Sequence, residues 1–226
     1  MAGAAPSAIT RLDELTRRLR RECPWDREQD ERSIVAHTVS EAYEVADAAH
    51  SGDDAKLLDE LGDLLFQVHF LSLLLEERGA GDLAAVADHC AQKLIRRHPH
   101  VFGDVEVEGA ADVLRNWDEI KRTREGRGAG GPFADVPENL PALALAAKLQ
   151  RRVATVQAEP PFREAEESLA RLAARHDRDA RFDELGELLF TVVRCARALD
   201  VDPELALRRA STRFREATVA SAATER

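Results

Sequence analysis

Residues 58–66 read Leu58-Asp59-Glu60-Leu61-Gly62-Asp63-Leu64-Leu65-Phe66. Nearly the same nine return as Phe182-Asp183-Glu184-Leu185-Gly186-Glu187-Leu188-Leu189-Phe190. The interval is about half of the 226-residue chain, and repetition at that distance predicts a duplicated module. Apolar residues around the first copy recur at helical spacing, so the repeated unit is expected to be a helix. The acids inside it, Glu60 and Asp63, stand at i and i+3. Upstream, Glu41-Ala42-Tyr43-Glu44 repeats that spacing, so each pair of carboxylates shares one helical face.

Working outward, Ile9, Leu12, Leu15 and Leu19 predict a first helix over about 8–22, ended by a loop at Cys23-Pro24-Trp25-Asp26. A second is expected from Ser33, read as its N-cap, to about Ala49. A third runs from about Ala55 to Arg78 and stops at Gly79. Asp82 caps a fourth reaching about Arg97. A loop over 98–109, with a short extended piece at Val105 and Val107, precedes a fifth helix over about 110–124. Four glycines in the six residues Gly126 to Gly131 read as a flexible hinge. Beyond it, a helix to about Val156 and two or three more follow, punctuated by Pro160-Pro161 and Asp202-Pro203. Strand alternation persists nowhere. Ala, Leu, Glu and Arg dominate, and aromatics make up 5%. The expected fold class is all-α, a helical bundle.

Embedded among Val39, Tyr43, Val45, Leu57, Leu61, Leu64 and Leu65, the acids Glu41, Glu44, Glu60 and Asp63 repel one another and resist burial. A hard divalent cation removes both problems, and Mg²⁺ usually arrives with a substrate phosphate. The competing reading of each Glu-x-x-Glu pair is a solvated helix face. Gly62 costs about 1 kcal/mol against Ala inside a helix, so a neighbour or ligand is expected to approach it closely.

Net charge is −10, which argues against a general nucleic-acid binder. Against that background, Lys93-Leu94-Ile95-Arg96-Arg97-His98-Pro99-His100 is a basic cluster. It reads as a phosphate grip, or as cations balancing a helix dipole. Cys23, Cys90 and Cys195 form no Cys-x-x-Cys, pointing to a reduced cytoplasmic setting. The longest apolar run, Leu64 to Leu75, is interrupted by Gln67, His69 and Ser72, too polar for a bilayer. Walker-type loop, Gly-x-Ser-x-Gly elbow, Cys/His box and dinucleotide fingerprint are all missing from the sequence.

Cys23-Pro24-Trp25-Asp26, Glu41-Ala42-Tyr43-Glu44, Glu60-Leu61-Gly62-Asp63-Leu64-Leu65-Phe66-Gln67 and Arg96-Arg97-His98-Pro99-His100-Val101-Phe102, in this order, resemble the MazG family of the all-α NTP pyrophosphatase superfamily. The resemblance implies duplicated four-helix modules: an N-terminal one over 8–125, the Gly-rich hinge over 126–139 and a degenerate C-terminal one over 140–218. It implies Mg²⁺, with Mn²⁺ as the alternative ion, held by Glu41, Glu44, Glu60 and Asp63, which also serve catalysis through activated water. Lys56, Lys93 and Arg97 match positions that hold triphosphate, and Trp117 one that contacts the nucleotide. The implied reaction converts a (d)NTP to (d)NMP and pyrophosphate, clearing the nucleotide pool. The implied protein is a homodimer or higher homo-oligomer, with no nucleic-acid polymer or membrane as partner.

Two departures stand out. Ser40 replaces the first glutamate of the family's Glu-Glu-x-x-Glu. In the second module, Ala170 is read where the third acid belongs, Glu187 replaces an Asp, Arg213 and Ala217 replace the basic pair, and no tryptophan follows. The N-terminal module is therefore expected to carry the site, although two-module members often use the other. Two alternatives stay open: a catalytically weak regulatory or dimerisation module, and a hydrolase of an alarmone or phosphoribosyl nucleotide.

Overall fold

The computed structural model describes residues 4–123, 130–153 and 160–224. Among these every regular element is helical: α1 Ala4–Glu22, α2 Pro24–Glu28, α3 Glu31–Ser51, α4 Asp54–Glu77, α5 Leu83–Arg97, α6 Pro99–Phe102, α7 Ala110–Thr123, α8 Ala142–Val153, α9 Phe162–Ala174, α10 Arg178–Ala198 and α11 Pro203–Thr224. The all-α expectation holds, and the repeated nonapeptide lies on α4 and α10.

The chain divides into two compact units, Met1–Trp117 and Asp118–Arg226. Within the first, α4 packs against α1, α3 and α5; within the second, α10 packs against α8, α9 and α11. The repeat thus builds the central helix of each unit. Of the expected hinge over 126–139, the part up to Ala129 lies outside the described residues.

Local signals explain most boundaries, with four corrections. Asp30, not Ser33, caps α3. Its carboxylate accepts from the amides of Arg32 and Ser33, while the Ser33 hydroxyl accepts from the Asp30 amide at 2.9 Å, a reciprocal capping box. The expected loop at Cys23–Asp26 contains α2, with Pro24 at its first turn. Its carbonyls are pinned by Arg20, whose guanidinium donates to Asp26 O at 2.5 Å and Gln29 O at 3.0 Å. The stretch expected as a loop from His98 contains α6, again started by proline, and no strand forms at Val105 or Val107. Finally, a Cβ on Gly62 would meet nothing within 4 Å, so no chain neighbour accounts for that glycine. Gly79 adopts φ +67° just past α4, as its stop role requires.

The first unit's core is Ile34 of α3 with Phe70 and Leu74 of α4, extended by Phe66 and Leu71. Burying a side chain such as Phe70 contributes about 1.5–3 kcal/mol. Two arginine forks staple α1 to the far end of α4: Arg17 to Glu76 at 2.9 and 2.6 Å, and Arg20 to Glu77 at 2.9 and 2.8 Å. In the second unit, Gln150 of α8 donates to the Phe190 carbonyl of α10 at 2.8 Å and accepts from Arg197 at 3.4 Å. No helix among the described residues is long and apolar enough to cross a membrane.

Candidate active site

The α3–α4 hairpin turns through Gly52, at φ +71°, and Asp53, whose carboxylate accepts from the amides of Ala55 and Lys56 at 3.0 Å each. This cap sets where α4 begins and so which of its residues face α3. Across the hairpin, carboxylate oxygens of Glu41, Glu60 and Asp63 lie within 4.8 Å of one another. Glu60 is buried, Glu41 half-buried and Asp63 exposed. Glu44 is outside this close group: it is exposed and accepts a 3.0 Å hydrogen bond from the Ser40 hydroxyl. The serine at the position of the family's first glutamate therefore engages Glu44, one turn along its own helix.

Burial holds the Glu41 and Glu60 carboxyls above the ordinary carboxylate range, and their acidic neighbours push the same way. For Glu41 these are Glu44, Asp63 and Glu60, partly offset by His37; for Glu60, Glu44 leads and Lys56 opposes. His37, one turn before Glu41, was not legible as part of this neighbourhood, and i,i+4 spacing was its only signal. It meets the half-exposed Trp25 ring edge-on, 5.6 Å between centroids.

Three hard oxygen donors so close fit a small divalent ion. Mg²⁺ takes oxygens at about 2.1 Å, so two ligands across it stand up to about 4.2 Å apart. No basic side chain among the described residues is in salt-bridge contact with Glu41, Glu60 or Asp63; Lys56 instead reaches Asp47 at 3.7 Å. Asp53, Ala55, Lys56, Leu58, Asp59, Gly62 and Asp63 line a shallow depression of about 640 Å³ along the start of α4.

Lys93 and Arg97 lie on the last two turns of α5, both half-buried. The next residue, His98, packs edge-on against Trp117 of α7 at 4.9 Å and lies 5.5 Å from the His100 ring. The basic end of α5 and the tryptophan are thus neighbours through His98. In the second unit, Glu184 is buried like Glu60, but Ser168 and Arg171 bond to it.

The MazG nucleotide pyrophosphohydrolase domain model matches residues 29–102, the segment that holds Glu41, Glu44, Lys56, Glu60, Asp63, Lys93 and Arg97. The nucleoside triphosphate pyrophosphohydrolase of Escherichia coli (strain K12) is 38% identical over 221 residues, covering 91% of this chain and 84% of that protein. The nucleoside triphosphate pyrophosphohydrolase/pyrophosphatase MazG of Thermotoga maritima is 35% identical over 199 residues, covering 86% and 76%. A solved mazG-related protein from Thermotoga maritima aligns with 50% of this chain and 98% of its own, at TM-score 0.44 and 26% identity. With 38% and 35% identity to the Escherichia coli and Thermotoga maritima pyrophosphohydrolases over most of both chains, this protein belongs to the MazG nucleotide pyrophosphohydrolase family.

Proposed function

We infer that the chain hydrolyses a nucleoside triphosphate to the monophosphate and pyrophosphate, and that the N-terminal module, residues 8–125, does so. The observation that carries this reading is the convergence of Glu41, Glu60 and Asp63 across the α3–α4 hairpin, in a segment matched by the family model. The C-terminal module, residues 140–218, is assigned no turnover.

Glu41, Glu60 and Asp63 would hold a divalent cation, Mg²⁺ or Mn²⁺, with Glu44, now bonded to Ser40, as the fourth carboxylate available to it. When bound, that ion supplies positive charge that screens the phosphates and acidifies water. Lys56, at the mouth of the hairpin, binds the outer phosphates as a point charge, while Lys93 and Arg97 grip them from α5. These cations stabilise the charge that gathers on pyrophosphate as the bond between the α-phosphorus and its bridging oxygen breaks. Trp117, braced by His98, offers a ring to the nucleoside. Together these roles suit removal of unwanted nucleotides from the pool.

A homodimer or larger homo-oligomer is part of this reading. Leu58, Leu61, Leu65 and Val68 form an exposed apolar stripe on α4 at helical spacing, of the kind that self-association covers. Free thiols at Cys23, Cys90 and Cys195 suit a reducing cytoplasm.

Incubation of the full chain with Mg²⁺ and a panel of (d)NTPs tests the bond cleaved. Monophosphate and pyrophosphate should appear in equal amounts. Diphosphate with orthophosphate as main products would overturn the reading.

A further inference from the structure

The second unit repeats the acidic hairpin more completely than its sequence suggests. Glu60 and Glu184 are each the seventh residue of their helix, counted from Asp54 and Arg178, and are 9% and 8% exposed. Asp63 and Glu187 are each the tenth. Counted back from Ser51 and Ala174, Glu44 and Glu167 are each eighth and Glu41 and Glu164 each eleventh. Four carboxylates therefore recur at matching counts from the turn, although among the described residues only Glu41, Glu60 and Asp63 bring their oxygens within 4.8 Å of one another. By this count Glu167, rather than Ala170, stands where Glu44 stands in the first unit.

What changes between the units is the cation supply. The fourth residue from the end of the helix is Ala48 in α3 and Arg171 in α9. The α9–α10 turn is also one residue longer and carries Arg175. Arg171 Nε lies 2.8 Å from Glu184 Oε1, the Ser168 hydroxyl donates to the same oxygen at 3.0 Å, and an Arg175 terminal nitrogen stands 3.7 Å from Oε2. The other acids are engaged as well: Glu164 pairs with Arg194, and Glu167 with Arg163 at 3.1 Å.

We propose that Arg171 and Arg175 stand in the second unit for the divalent cation of the first, making the Glu184 cluster a built-in, metal-free copy of the site. This rests on reading Glu41, Glu60 and Asp63 as metal ligands. A buried carboxylate needs a compensating charge, and a guanidinium supplies one that never dissociates or loses its proton. The α9–α10 hairpin thus stays closed at any metal concentration. Guanidinium donors cannot acidify a water as a metal does, so the copy gives up turnover for permanent closure.

Mn²⁺ binding to the full chain, followed by electron paramagnetic resonance, tests this. Wild type should bind Mn²⁺, and the Glu60→Gln/Asp63→Asn protein should bind none. Adding Arg171→Ala and Arg175→Ala to that protein should restore bound Mn²⁺, now held at the freed Glu184 carboxylate, and a further Glu184→Gln should abolish it again. Residual Mn²⁺ in the Glu60→Gln/Asp63→Asn protein that is lost on Glu184→Gln would overturn the proposal. So would arginine removal that restores no binding. If the four-site variant does not fold without metal, its far-UV circular dichroism is read with and without Mn²⁺. Recovery on adding metal is the supporting result, and no recovery overturns the proposal. A wild type that binds no Mn²⁺ at all would instead remove the metal reading of the first unit, and this inference with it.

Discussion

Glu41 on α3 and Glu60 on α4 bring carboxylate oxygens within 4.8 Å of each other across a hairpin, and both carboxyls titrate above the ordinary carboxylate range. Glu184, at the place of Glu60 in the second unit, titrates below it. Burial alone would raise Glu184, but the Ser168 hydroxyl and the Arg171 guanidinium more than offset that. Equivalent buried carboxylates therefore face opposite electrostatic surroundings.

Metal-free thermal stability should separate them. A raised acid binds its proton more tightly in the folded state, so charging it opposes folding. In chelator at neutral pH, Glu60→Gln should raise Tm by a few degrees, and the wild-type penalty should fade as pH drops through the raised pKa. A lowered acid contributes stability above its unfolded pKa, which is lost as pH falls through the folded one. Glu184→Gln should therefore lower Tm at neutral pH and converge with wild type in acid. Scanning calorimetry from pH 7 to pH 3 reads both, and equal signs at neutral pH would contradict the assignment.

Mg²⁺ should raise Tm. A ligand that binds only the folded state contributes about 2.7 kcal/mol at a hundredfold excess over its Kd. The rise should shrink in Glu44→Ala and in Asp63→Ala. An undiminished rise in both variants would place the ion elsewhere.

Turnover should rank the modules. Glu41→Gln or Glu60→Gln should reduce kcat to background, because each removes a ligand charge that no neighbour replaces. Glu167→Gln should leave kcat near wild type; its carboxylate is exposed and pairs with Arg163 on its own helix. Glu184→Gln should keep activity at temperatures where it remains folded. Loss of kcat in folded second-unit variants, with the first-unit variants active, would reverse the assignment.

Lys56→Ala should lower kcat/KM about ten- to a hundredfold, since a hydrogen bond to a charged group is worth about 1.5–3 kcal/mol. Its stability should hardly change, because the only ion pair lost among the described residues is the exposed one to Asp47. Steady-state kinetics with a melting curve separates the two effects.

Asp53→Ala removes the α4 cap and should cost about 1 kcal/mol, or roughly 2–4 °C in Tm for a chain of this size. Lys56 sits in the turn that would fray, so KM should rise as well. A lower Tm with unchanged KM would mean that Lys56 does not depend on that cap.

The sequence by itself determined the helical class, the repeat and the two acid pairs of the first hairpin, because periodicity and i,i+3 spacing are local properties of a helix. Asp53 and Asp82 acted as caps within one turn of where they stand. The short helices α2 and α6 escaped notice because five and four residues are too few to show a period. Which acid meets which was decided only by the tertiary structure. Pairing across a hairpin depends on where the turn ends, and the α9–α10 turn has one residue more than the α3–α4 turn. That register moved the counterparts of Glu41 and Glu44 to Glu164 and Glu167. It also set Arg171 on Glu184, a contact between residues thirteen apart that spacing along a single helix could not disclose.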